Sequence, residues 1–205
     1  MDLWTRIEQA RQKWNVLEHP FYQRWSAGEL TLDELAVYSG QYRRATEAVA
    51  CMSANLAEDA PESESRGLSA HAREEADHVA MWDGFVAAVG GSVEDPANPE
   101  TAECFEAWTK RDGFGPQLAR LYAVESGQPE ISKTKSMGLS DFYGIEGDPA
   151  DTYFTVHATM DVEHAEEGRK LIEKYMAEFD EDELVAAAEE AFEANWRLLD
   201  GVSTS

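Results

Sequence analysis

Apolar side chains recur along this chain at intervals of three and four, and the intervals rarely lapse. Leu3, Ile7, Ala10, Trp14 and Leu17 form a first stripe, the mark of an amphipathic helix. His19-Pro20 interrupts it. Thr31 opens a long second helix, with Glu34 three positions on to complete a capping box, and its apolar face runs through Leu35, Tyr38, Tyr42, Val49 and Leu56. Pro61 can open a third helix, which should end at Gly90-Gly91. Asn98-Pro99 starts a fourth, reaching about Lys110. Residues 113–116 read as a turn, and a fifth helix runs from there to Gly127. Pro129 then opens a short helix containing Ile131 and Met137. Asp148-Pro149 caps a long helix reaching Phe179. Asp180 and Glu183 cap the last, which carries Leu184, Ala188, Ala191, Asn195 and Leu198. No strand of useful length, repeat or low-complexity linker is found. The expectation is an all-α fold, one domain over residues 1–205, with about seven to eight helices.

Two stripes contain residues that do not belong in a core. The third helix reads Leu68, His71, Glu75, His78, Trp82, Phe85, Val89, and the long late helix reads Phe154, His157, Asp161, His164, Gly168, Leu171, Tyr175. Both run 3,4,3,4,3,4, so each set shares one helix face. Three ionisable residues interrupt each. On the fifth helix Leu118 and Leu121 lead to Glu125 in the same way. A buried unpaired carboxylate costs several kcal/mol, so all of these groups need a partner, and a shared cation is one partner for all of them. Carboxylate and imidazole without thiolate suit iron or manganese better than zinc. Carboxylates from several helices with Glu-x-x-His on facing helices is how helical di-iron sites are built.

The expected ligands are therefore Glu75, His78, Glu125, His157, Asp161 and His164, with Glu125 able to bridge two ions. Glu74 lies one position off the stripe and reads as solvent-facing or as a neighbour of a ligand. His71, a turn before Glu75, is a ligand neighbour or substrate contact, and Glu47 on the second helix is a weaker candidate for the same core. Any one of these has an ordinary alternative, since lone core histidines are usually just hydrogen-bonded. The joint pattern argues otherwise: four of the five histidines lie on the two stripes, and only His19 does not.

Composition narrows the chemistry. The chain has 205 residues, 43% hydrophobic and 10% aromatic, enough for a real core. Its formal charge is −24, with 41 acidic and 17 basic residues. That balance argues against binding nucleic acid or an anionic membrane surface, both of which need positive charge. The acids are dispersed and read as a solvated face; with little Lys, they suggest a source living in high salt. Cys51 and Cys104 show no metal spacing and read as buried free thiols. The amphipathic N-terminus lacks an apolar signal core and no segment is long enough to span a membrane, so a cytoplasmic protein is expected.

The order Glu…His, Glu125, then His157-x3-Asp161-x2-His164, with "HPFYQRW", "EEADHVAMWDGF", "ESGQPEISKTK", "GLSDFYG" and "YFTVHATMDVEHA" around it, resembles the haem-oxygenase-like di-iron oxidases of the TenA/PqqC-like superfamily over nearly the whole chain. The resemblance implies two Fe ions (or Fe/Mn), dioxygen as co-substrate, an external reductant and a homodimer. Within the family the chain looks most like the CADD-like 4-aminobenzoate synthases of folate biosynthesis. In those, the enzyme's own tyrosine is thought to supply the ring and a lysine the amino group. Lys135, ten residues after Glu125, and Tyr22 in "HPFY" match those two; Tyr38 and Tyr153 match further core tyrosines. From the residues alone, Tyr22 and Tyr153 read equally as packing, and Lys135 as an exposed lysine beside Lys133. One departure is that the CADD-like proteins usually carry a Glu seven residues before the first His, where this chain has His71. The shorter Glu75-x-x-His78 resembles the alkene-forming fatty-acid decarboxylases. The alternatives are therefore an oxidative decarboxylase of fatty or amino acids, a metal-free PqqC- or TenA-like oxidase, and a binding or regulatory protein of the same fold. The lack of a suitably placed cysteine argues against thiamin degradation.

Overall fold

In the computed structural model, which describes residues 1–203, the chain forms eight α-helices: α1 Leu3–Lys13, α2 Pro20–Ala27, α3 Leu32–Asp59, α4 Glu62–Ala88, α5 Pro99–Trp108, α6 Phe114–Gly138, α7 Thr152–Tyr175 and α8 Glu181–Ser203. No strand occurs among the described residues. The local signals work as their chemistry predicts. The Thr31 hydroxyl accepts from the Glu34 N–H while the Glu34 carboxylate accepts from the Thr31 N–H, closing the capping box of α3. The Asn98 side chain caps α5 ahead of Pro99.

Three expectations need correction. The segment after His19-Pro20 is a helix in its own right, with the His19 ring accepting from the Phe21 N–H at 3.1 Å and Gly28 ending it at φ +69°. The first helix stops at Lys13, and residues 16–18 form a separate 3-10 turn. Most consequentially, the fifth helix does not end at Gly127. It runs through Pro129 to Gly138 as α6. Proline removes the N–H that would bond the carbonyl four residues back, and its ring crowds that carbonyl. Here Gln128, Ile131, Ser132 and Lys135 are all buried, so packing on both sides of residue 129 holds the helix together. The carboxyl end of α6 is clamped by α2: Trp25 Nε1 donates to the Lys135 carbonyl at 3.2 Å. A Cβ on Gly138 would lie 2.5 Å from the Trp25 ring, so only glycine lets the two helices approach so closely.

α3 packs most extensively on α4 and α6 on α7, with α8 laid along α5 and α6. One hydrophobic core draws side chains from all eight helices. No helix is long and apolar enough to cross a membrane among the described residues.

Candidate metal centre

The ionisable stripes of α4 and α7 face each other across this core, and Glu125 of α6 joins them from the side. Glu75, His78, Glu125, His157 and Asp161 are buried, with Glu75 4% and Asp161 1% exposed. The donor atoms of His71, Glu75, Glu125 and His164 all lie within 4.8 Å of one another, as do those of Glu75, His78 and His157. Glu75 Oε1 stands 3.3 Å from His78 Nδ1, 3.5 Å from His71 Nε2 and 3.9 Å from His164 Nδ1. His71 Nε2 is 2.9 Å from Glu125 Oε1, and Asp161 Oδ1 is 3.6 Å from His164 Nδ1. The imidazoles pair as His71 with His164 and His78 with His157, at centroid separations of 4.1 and 4.5 Å.

These atoms crowd together without satisfying one another. His71 Nε2, Glu75 Oε1, His78 Nδ1, Glu125 Oε1, His157 Nε2, Asp161 Oδ2 and His164 Nδ1 are all buried without a hydrogen-bond partner. Seven orphaned donors on convergent residues would be a severe penalty in an apolar core. They fit a cationic centre, since a cation accepts lone pairs from all of them. The remaining ring nitrogens are oriented as metal-bound histidines need. His157 Nδ1 is 2.8 Å from the Tyr153 carbonyl, leaving Nε2 for the centre, and His164 Nε2 lies 3.4 Å from Glu74, leaving Nδ1. Glu74, one position off the stripe, is half-exposed and stands beside His164.

Electrostatics agree. Without a cation, burial drives the groups toward their neutral forms, pushing Glu125 up to about 7 and Asp161 up to about 6, and His157 down to about 4. Glu75 goes the other way: burial raises it, but His71 and His78 outweigh burial and hold it well below the carboxylate range. Burial likewise disfavours a charge on His71, yet Glu125 and Glu75 win and raise it to about 10.

Three expected placements change. Asp161 falls in neither donor group, although its Oδ1 stands 3.6 Å from His164 Nδ1. Glu125 belongs to the first donor group only, and the carboxylate common to both is Glu75. Glu47 is not part of the cluster: its carboxylate is held by Arg43 and by Arg44, with Arg43 also 2.5 Å from Asp83. Two arginines at i−4 and i−3 on its own helix turned it outward.

A second unusual site lies beside the first. Lys135 is fully buried and its Nζ has no hydrogen-bond partner. The rings of Tyr42, Trp82, Tyr22, Tyr38 and Phe154 surround it at 4.2, 5.3, 5.6, 5.6 and 5.6 Å. Burial drives its pKa well below the usual lysine value, because an unpaired charge is costly in this apolar box. Tyr22 and Tyr38 share a 2.8 Å hydrogen bond between their hydroxyls, and burial raises both far above 10. Tyr153 stacks on His157 at 3.8 Å and meets Trp82 edge-on at 4.9 Å, forming the wall between the two sites. Tyr42, which accepts from Gln128 at 3.1 Å, and Trp82 line this box yet read in the sequence as ordinary core. The missed signal is on α6: Glu125, Gln128, Ser132 and Lys135 continue the 3,4,3 spacing straight through Pro129.

On the other side of the cluster a cavity of about 270 Å³ runs between α4, α6 and α7. Leu68, Leu118, Leu121 and Leu171 line it together with Glu64, Glu167 and Lys170, and His71, Glu125 and His164 form part of its wall.

Comparison with known proteins follows this geometry. Residues 35–196 match the family model of iron-containing redox enzymes. A 4-aminobenzoate synthase of Chlamydia muridarum is 30% identical, covering 98% of this chain and 89% of the relative. One from Nitrosomonas europaea is 28% identical over 96% of this chain and 89% of its own length. Among solved structures, a domain of unknown function with a heme oxygenase-like fold from Shewanella denitrificans superposes with a TM-score of 0.82 at 20% identity, covering all of this chain and 93% of its own. A TenA homologue from Pseudomonas syringae pv. tomato does so at 0.82 and 18%, over 99% of this chain and 91% of its own.

Proposed function

The chain belongs to the family of iron-containing redox enzymes and is a metal-dependent oxidoreductase, and from that premise we propose that it makes 4-aminobenzoate at a two-metal centre, with dioxygen, from its own Tyr22 and Lys135. The relatives named 4-aminobenzoate synthase, which it matches over almost its full length, support this reading. The observation that carries it is Lys135: a fully buried amine with no hydrogen-bond partner, closed in by aromatic rings beside the donor cluster. A lysine has no structural reason to be there, because burying an amine without a partner costs roughly 1–3 kcal/mol.

Glu75, His78, Glu125, His157, Asp161 and His164 would hold two ions, iron with iron or with manganese. When bound, they supply the oxidising chemistry through reaction with dioxygen and an external reductant. The protein's own residues do the rest. The Tyr22–Tyr38 hydroxyl pair fixes the phenol and gives its proton an acceptor when the ring is oxidised. The aromatic box keeps water from competing with the Lys135 amine as nucleophile. Lys135 Nζ is 5.6 Å from the Tyr22 ring centre.

The test is intact-mass spectrometry of protein labelled with ¹⁵N-lysine and ring-¹³C-tyrosine, before and after anaerobic loading with Fe(II) and exposure to oxygen and reductant. We expect doubly labelled 4-aminobenzoate and a matching mass loss mapped to residues 22 and 135. Labelled product from Tyr22→Phe or Lys135→Arg protein would defeat the assignment.

One observation favours a second reading, oxidative decarboxylation of an added fatty or amino acid. The leucine-lined cavity gives an apolar chain direct access to His71, Glu125 and His164. An added acid should then alter the optical spectrum of the iron-loaded protein and be consumed over many turnovers, with no change in protein mass.

A further inference from the structure

We propose that His71 is itself a metal ligand and that Glu75, rather than Glu125, is the carboxylate spanning the two ions. The centre would then use seven side chains: four imidazoles and three carboxylates. This rests on the two-metal reading above and says how this chain builds it.

Glu75 is the sole residue common to both groups of converging donors found among the described residues. Its Oε1 stands 3.5 Å from His71 Nε2 and 3.9 Å from His164 Nδ1 in the first group, and 3.3 Å from His78 Nδ1 in the second. A donor atom shared by two groups is the one that can touch two ions. His71 belongs to the first group on the same terms as the expected ligands. Its Nε2 is 2.9 Å from Glu125 Oε1 and 3.5 Å from Glu75 Oε1. Donors each about 2.1 Å from one ion stand roughly 3 Å apart along an octahedral edge and nearer 3.4 Å in a tetrahedron. The alternative is that His71 merely hydrogen-bonds a ligand. Despite the short separations, His71 Nε2, Glu75 Oε1 and Glu125 Oε1 all lack hydrogen-bond geometry and stay unpartnered. Atoms that are near but misaligned point at something between them. The ring also stacks against His164 at 4.1 Å, and the two imidazoles lie at the end of the same cavity.

A consequence is selectivity. Two imidazoles with Glu125 and Glu75 on this side make it richer in nitrogen than an all-carboxylate site, which favours iron over manganese.

The test uses Co(II)-loaded protein and proton NMR. Each imidazole ligand keeping a proton on its far nitrogen gives one hyperfine-shifted, exchangeable N–H signal. Wild type should bind two Co(II) and show four signals; His19 adds none, since its ring is tied to Asp200 and to the Phe21 N–H. His71→Gln should show three, with one Co(II) held at least about tenfold more weakly. In His71→Gly, free imidazole, which fits the cavity, should restore the fourth signal and the affinity. His71→Glu supplies a carboxylate should the other variants fail to fold, and should shift an anaerobic Fe(II)/Mn(II) competition toward manganese. Equal signal counts in wild type and His71→Gln, with two Co(II) bound to each, would show that His71 is no ligand. Uptake of less than about one Co(II) per wild-type chain would instead defeat the two-metal reading.

Discussion

The core of this protein is interrupted twice by ionisable side chains, and the two interruptions are resolved in opposite ways. Between α4, α6 and α7, two carboxylates and four imidazoles converge, with Asp161 beside His164, and their donor atoms are unpartnered. Beyond the wall formed by Tyr153 and Trp82, Lys135 stands alone among aromatic rings. Many ionisable groups can share one counter-charge, so the first region holds its lone pairs ready for cations. A single amine has nothing to share with and gives up its proton instead. Burial therefore leaves a cluster of unpartnered donors in one place and a lone amine in the other, with Tyr153 and Trp82 between them.

The largest effect should come from attacking the shared carboxylate. Glu75→Ala is expected to take metal content from about two ions per chain to below one and product below detection, measured by elemental analysis and mass spectrometry. Retention of both ions would show that the cluster does not depend on the residue common to its two halves.

Lys135→Met comes next and should act in opposite directions on activity and stability. Product formation should vanish, while removing an unpartnered buried amine should stabilise the fold by about 1–3 kcal/mol at pH 7 in urea denaturation. The sign with pH is definite. The folded pKa of Lys135 lies below its unfolded value near 10.5, so between the two the unfolded chain binds the extra proton and wild-type stability rises with pH. The gap to the Met variant should narrow as pH climbs toward 10.5. A gap independent of pH would mean that the amine is not held neutral.

Gly67 sharpens the comparison from the cavity side. A Cβ there meets no heavy atom within 4 Å, and the residue lines the cavity. Gly67→Leu should stabilise α4 by about 0.5–1 kcal/mol and block any spectral response to added fatty acid, leaving self-derived 4-aminobenzoate intact. The smallest effect is expected at Glu47. Glu47→Gln removes a half-exposed ion pair with Arg43 and Arg44, should cost under about 1 kcal/mol, and should leave metal content unchanged.

Much of the metal centre was legible in the chain because α4 and α7 are uninterrupted helices. On such helices a 3,4 spacing suffices to align His71, Glu75 and His78, or His157, Asp161 and His164. Glu125 was legible for the same reason. Lys135 was not, except by resemblance: Pro129 looks like a helix stop, and reading a stop there severs Lys135 from the Glu125 stripe. Glu47 misled in the other direction, since its position on α3 said nothing of the two arginines that claim it.

Sequence alone determined most of the helices, the caps at Thr31 and Asn98 and which residues share a face, because those depend on contacts within about four residues. Tertiary structure decided what required distant segments to meet. It made Glu75 the common member of two donor groups, brought His71 within reach of Glu125, opened a cavity onto one side of the cluster and sealed Lys135 on the other. Charge state belongs to this second class, because it depends on how completely the rest of the chain excludes water. The same lysine that would be an exposed cation on an isolated helix is a neutral amine in this core.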